Sequence, residues 1–125
     1  MKISLTNREA DVMRVLWDHG PSLVAEVRAR LSDDLAYTTV LTILRTLEAK
    51  GYVRHSEEGR GHRYGARVEQ QAARKSALQH LTNKLFQGST ELLFTHLVSD
   101  QKLTPQQIKR MREMLEEKAD DQEKP

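Results

Sequence analysis

Apolar positions recur at helical spacing three times within the first fifty residues, and each run is bounded by capping or turn chemistry. Ala10, Met13, Leu16 and Trp17 share one face and are predicted to be buried. They follow Thr6-Asn7-Arg8-Glu9, a capping-box pattern in which Thr6 accepts from the Glu9 amide and Glu9 reaches back. The run stops at Gly20-Pro21. Leu23, Val27 and Leu31 form a second stripe, with Ser22 as its expected N-cap, and Ser32-Asp33-Asp34 reads as a turn. A third helix is predicted from about Ala36 to Lys50, with Val40, Ile43, Leu44 and Leu47 inward and Gly51 placed to end it. The pattern then changes. Tyr52-Val53-Arg54-His55 is β-prone, Ser56 to Gly61 (SEEGRG) supplies a turn, and His62-Arg63-Tyr64 suits a return strand. Three short helices and a hairpin follow the order of a winged helix-turn-helix, whose recognition helix enters the DNA major groove.

Helical spacing resumes at Glu69. Ala73, Ala77, Leu78, Leu81, Leu85 and Phe86 make a stripe that Gly88-Ser89 interrupts, and a short helix carries Leu92, Leu93, Leu97 and Val98. The last helix is announced by Leu103-Thr104-Pro105-Gln106-Gln107-Ile108. Thr104 is its N-cap, Pro105 stands at the first helical position, Gln107 completes a capping box, and Leu103 staples to Ile108. Lys118 to Pro125 (KADDQEKP) has nothing to bury and is predicted to be disordered. The fold class is therefore mainly α with a small β-hairpin wing. A winged helix-turn-helix domain is expected over residues 1–70, a helical dimerisation domain over 71–118 and a charged tail over 119–125. The C-terminal stripes are thin. A two-fold homodimer would bury Leu78, Leu81, Leu85, Phe86, Leu92, Leu93, Leu97, Ile108, Met111 and Leu115; folding back onto the N-terminal domain is the alternative.

Composition narrows the reading. Of 125 residues, 38% are hydrophobic and 30% charged, lean enough that a second chain completing the core is a reasonable expectation. The net charge of +2 is too small to name a partner, but residues 1–75 hold 13 Lys+Arg against 10 Asp+Glu, so the N-terminal part is the basic one. No cysteine is present, which excludes disulfides, thiolate metal sites and a cysteine nucleophile, and fits a cytoplasmic protein. No apolar run approaches the roughly 20 residues of a membrane span, so no membrane insertion is expected. No Gly-rich phosphate loop, GxSxG or HExxH motif occurs, and no enzymatic activity or cofactor is expected.

The third helix, YTTVLTILRTL in its first eleven residues, spends four threonines on an element they favour little. At about 100° per residue, Thr38, Thr42, Arg45 and Ala49 lie opposite the apolar side. Tyr37 and Leu41 flank that face near the N-terminal end, and Thr39 and Thr46 lie on the other flank. A solvated helix face would carry Glu and Lys; this one is small and hydroxyl-rich, suited to close approach. Tyr37, Thr38, Leu41, Thr42 and Arg45 are accordingly candidate base readers. Thr39 and Thr46, with the wing residues Arg54, His55, Arg60, His62 and Arg63, are candidate phosphate contacts, and Arg67 adds charge nearby. Threonines that merely tolerate a crowded helix, and a wing that is only a solvated hairpin, are the plainer readings. His55 and His62 could also face each other across the wing with Glu57 or Glu58 as a metal site, although phosphate contact accounts for the same residues.

These residues resemble a known family: the penicillinase and methicillin-resistance repressors, grouped with certain copper-responsive repressors (BlaI/MecI/CopY). The matching positions are Leu5-Thr6 with Glu9, Val12-Met13, Val15-Leu16-Trp17, Thr39-Val40, Thr42, Leu44, Leu47 to Tyr52 (LEAKGY) and Gly61 to Tyr64 (GHRY). Leu85-Phe86-Gln87-Gly88-Ser89, Leu93 and Leu103-Thr104 continue the order. The resemblance implies a homodimeric winged-helix repressor that binds palindromic double-stranded operator DNA. In antibiotic-responsive members a membrane sensor with a metalloprotease domain triggers cleavage in the C-terminal domain. The family's cleaved bond is usually Asn-Phe; the aligned pair here is His96-Leu97, which leaves the release signal open. The cysteine cluster of the copper-responsive branch is missing. A winged helix used for protein–protein contact, or a regulator answering to a small ligand or metal, is the alternative.

Overall fold

The computed structural model describes residues 2–123. Helix α1 (Asn7–His19) begins at the capping box: Glu9 N–H donates to Thr6 Oγ1 at 3.2 Å, and Thr6 N–H donates to Glu9 Oε1 at 2.8 Å. Val12, Met13, Val15 and Leu16 are buried, whereas Ala10 faces solvent and Trp17 is half-buried, its indole N–H donating to Val68 O at 2.9 Å. The buried face is thus rotated from the predicted one, because Glu9 occupies the inner position of the first turn.

Ser22 does not cap the second helix. It pairs with Tyr64 in the two-residue strand β1 (Ser22–Leu23), and its hydroxyl donates to Gly20 O. The cap of α2 (Val24–Arg30) moves to Leu23, whose N–H is taken by Glu26 Oε1 at 2.8 Å. Helix α3 (Tyr37–Ala49) buries Val40, Leu44 and Leu47 completely and Ile43 in part, as the periodicity predicts. Gly51, at φ +85°, ends it: Gly51 N–H bonds Glu48 O and Tyr52 N–H bonds Leu47 O. This paired closure needs a left-handed residue, which glycine supplies without a Cβ penalty. It turns the chain directly into β2 (Val53–Glu58), which pairs with β3 (Gly61–Ala66).

The sheet order is β1-β3-β2, all antiparallel. The strands are longer than predicted and the wing turn is only Gly59-Arg60, with Gly59 at φ +61°. Tight two-residue turns favour a positive φ at that first position. Arg60 therefore stands at the wing tip.

Glu9 is the buried acid of the domain, 4% exposed, and Lys50 Nζ, at the end of α3, donates to both of its oxygens at 2.8 and 2.9 Å. Burial opposes its charge, but the Lys50 and Thr6 bonds outweigh that and hold its pKa below the usual carboxylate value. Glu9→Ala removes a helix cap and strands the ammonium, so unfolding in urea should show a loss of about 2–4 kcal/mol. A depressed acid stabilises above its unfolded pKa and stops doing so as pH falls through the folded one. The difference between the two proteins should therefore shrink on acidification below about pH 4.

The chain divides into two compact units between His80 and Leu81, within α4 (Gln70–Leu85). Ser76 explains why the first unit reaches so far: its hydroxyl accepts from Ile3 N–H and donates to Ile3 O. The second unit contains α5 (Thr90–Asp100), capped by Ser89, and α6 (Pro105–Glu123), whose Thr104–Gln107 capping box forms as predicted. Helix α6 runs on through residues predicted to be disordered, up to Glu123; Lys124 and Pro125 lie outside the described residues. Once a helix is nucleated, Glu, Lys, Ala and Gln extend it at little cost without burying anything. Among the described residues no helix is long and apolar enough to cross a membrane.

Candidate nucleic-acid interface

Helices α2 and α3 present α3 outward. Tyr37, Thr38, Thr39, Thr42, Arg45 and Thr46 are exposed, Tyr37 to 44%. Leu41, on the flank of this face, is half-buried against the domain core. Two threonines bond back along the helix. Thr42 Oγ1 donates to Thr38 O at 2.9 Å, and Thr46 Oγ1 donates to Thr42 O at 3.0 Å. Such back-bonding satisfies the hydroxyl hydrogen locally. With the hydrogen so committed, each hydroxyl oxygen keeps only acceptor capacity for a further partner.

The wing divides by face, because strand side chains alternate. One face carries His55, His62 and Tyr64. The His55 and His62 rings stack with centroids 4.4 Å apart and planes at 16°, and His55 lies 5.4 Å from Tyr64. His55 is not free: its Nδ1 lies 2.8 and 2.6 Å from Glu48 Oε1 and Oε2, and its N–H donates to Glu48 Oε2 at 3.0 Å. Tyr64 is buried, which raises its phenol above its ordinary value; Glu48 adds to this, while the Arg45 charge opposes it. Arg45 thus sits between the recognition face and the wing.

The other face carries Arg63, where a phosphate contact is expected. Its guanidinium is engaged within the protein. Nε donates to Glu58, and Nη1 donates to Pro21 O at 3.0 Å and Glu26 Oε1 at 3.3 Å. The Arg63 bond and charge lower the Glu58 pKa; the Leu23 N–H bond, with Arg63 second, lowers that of Glu26. Arg63 therefore straps the wing to the β1–α2 corner. Arg54 and Arg60 are exposed, as is Arg67, and none of the three makes an ion pair among the described residues. The sequence reading missed Glu48. Its signal was an acid alone in a helix otherwise without one, seven residues before a histidine. Among the described residues no group of three or more His, Asp or Glu side chains is arranged to hold a metal ion.

In the second unit Leu93 is buried, so it belongs to that unit's interior rather than to its surface. Phe86 is half-buried and meets His96 edge-on at 5.4 Å. Leu81, Leu85, Leu92, Leu97, Ile108 and Leu115 are exposed, and so is Leu78 at the end of the first unit. Met111 is half-buried. An apolar groove of about 480 Å³ between α5 and α6 is lined by Leu97, Met111 and Leu115, and also by Phe94, Val98 and Met114. Phe94 and Met114 were not among the expected contacts, although their spacing marks them: Phe94 lies three and four residues before Leu97 and Val98, and Met114 three after Met111.

A three-helix core, a three-stranded sheet and an exposed α3 beside a hairpin define a winged helix-turn-helix protein. The sequence profile of the penicillinase repressor family matches residues 5–117, and the chain belongs to that family. It is 24% identical over 115 residues to the penicillinase repressor of Bacillus licheniformis, covering 90% of each chain. It is 33% identical over 101 residues to the transcriptional regulator BlaI of Mycobacterium tuberculosis, covering 65% of this chain and 73% of that one. The solved DNA-binding domain of the repressor BlaI superposes with a TM-score of 0.50 at 31% identity, over 56% of this chain and 90% of that domain. The regulator Tm0710 of Thermotoga maritima, 17% identical with a TM-score of 0.51 over 94% of this chain, shares the fold.

Proposed function

We propose that the chain is a homodimeric transcriptional repressor that binds a palindromic operator through α3 and the wing. The observation that carries this is the outward face of α3, acid-free around Thr38, Thr42 and Arg45, beside a wing whose tip residue Arg60 makes no ion pair among the described residues. Membership of the penicillinase repressor family supports it. Tyr37, Thr38 and Arg45 read bases, Arg45 as a donor to guanine. Thr42, its hydroxyl hydrogen committed to Thr38 O, reads as an acceptor, which suits an adenine N6 or cytosine N4 amino group. Thr39, Arg54 and Arg60 take phosphates; Thr46 does so only if its hydroxyl leaves the Thr42 carbonyl. His62 lies within the wing stack, beside His55.

Dimerisation is supported by the exposed apolar side chains of the second unit, which a second copy would cover. Release by a sensor metalloprotease is the finer part of the proposal. His96-Leu97 lies inside α5, with His96 Nδ1 2.9 Å from Asp100 Oδ2, so cutting there requires local unwinding and would divide the residues lining the groove. Selection of bound duplexes from a random pool tests the reading. Footprints should show two inverted half-sites about one helical turn apart, or a multiple of it. Bound DNA without inverted symmetry would sink the two-fold model.

A further inference from the structure

Glu48 is the acidic residue of α3, and electrostatics alone argues against an acid beside a phosphate backbone. Its surroundings give it a purpose. Strand β2 lies at the sheet edge, where backbone donors lack a strand partner. Glu48 Oε2 accepts from His55 N–H at 3.0 Å, and the same carboxylate lies 2.6–2.8 Å from His55 Nδ1. A carboxylate at that distance can only accept, so Nδ1 carries the proton and the ring plane is set. That ring stacks on His62 of β3 at 4.4 Å, so the hold passes from α3 through β2 to the second wing strand.

We propose that Glu48 is a positioning residue that fixes the wing against the recognition helix, so that Arg60 and the α3 face reach DNA together. This rests on the operator-binding reading above. Arg63 straps the opposite wing face to Glu26 and Pro21, and the hairpin is braced on both sides. Glu48 contacts no base or phosphate; it acts through His55.

The sign of the effect separates positioning from simple charge. An acid that only repels phosphate would, on removal, strengthen binding to every duplex. Positioning requires the opposite for the operator. With the full chain, Glu48→Ala should lower affinity for the pool-selected duplex about tenfold, the scale of losing charge-assisted hydrogen bonds. Affinity for a scrambled duplex of equal length should stay level or rise. Glu48→Gln should recover part of the loss, since its amide oxygen still accepts from His55 N–H. In NMR, Glu48→Ala should lose the contacts between the His55 and His62 rings while the remaining amide spectrum is kept. The inference is overturned if those ring contacts persist in Glu48→Ala, or if this variant binds the selected duplex as tightly as the unmodified chain. Should Glu48→Ala unfold, Glu48→Gln carries the same comparison, and its equal affinity for both duplexes relative to the unmodified chain overturns it. If the unmodified chain selects no sequence, the operator reading fails instead, and the ring contacts still decide whether Glu48 holds the wing.

Discussion

Operator affinity should collapse with salt, falling about 10³–10⁵-fold between roughly 50 and 200 mM monovalent salt if a dimer neutralises about 6–10 phosphates. Arg54, Arg60 and Arg67 are exposed and unpaired among the described residues, and Arg45 is exposed on α3. Two copies supply a number of cations in that range. Fluorescence anisotropy across a salt series gives the slope of log affinity against log salt. Arg60→Ala should reduce that slope by about two per dimer. Arg63→Ala should leave it nearly unchanged, because its charge is already opposed by Glu58 and Glu26, while affinity still falls through a loosened wing. A flat salt response in the unmodified chain would favour a winged helix that binds proteins. An Arg63 effect on slope equal to that of Arg60 would put its guanidinium back on phosphate.

Truncation after Gly88 should give monomers and weaken operator binding about 10²–10⁴-fold, since two linked recognition helices bind with an effective concentration that separate ones lack. The cut leaves the first unit whole, ending after the Ile3–Ser76 hydrogen bonds and the buried Ala73. It removes the groove of Phe94, Leu97, Val98, Met111 and Leu115. Sedimentation at micromolar concentration reads the first outcome, and anisotropy on a two-half-site duplex the second. A truncated chain that stays dimeric would place the interface elsewhere. The point substitution Leu97→Asp, which buries a charge in the proposed contact without shortening the chain, checks that loss of the helices themselves is not the cause.

Local chemistry was legible along the chain. The α1 capping box, the α3 stripe, the glycine stop at Gly51 and the Thr104–Gln107 box all formed, because each needs partners within about one or two helical turns. Ala10 and Ser22 went to other places for a tertiary reason: Glu9 turned inward to Lys50, and β1 claimed Ser22. The charged tail was misjudged by treating burial as the condition for helix, when an already nucleated helix needs only propensity to continue.

The sequence by itself determined where the helices and the hairpin lie, though not β1 or the far end of α6, and which face of α3 stays exposed, since period and capping depend on near neighbours. It also marked the arginines and histidines of the wing. Tertiary structure alone decided which of them remain available. Arg63 meets Pro21 and Glu26 across 42 and 37 residues, Lys50 meets Glu9 across 41, and His55 meets Glu48 around a helix end. No periodicity encodes those encounters. A charged side chain takes the nearest opposite partner that the fold supplies, so the Arg63 guanidinium, which reads in sequence as a phosphate contact, is already paired with Glu58 and Glu26 once the chain is folded.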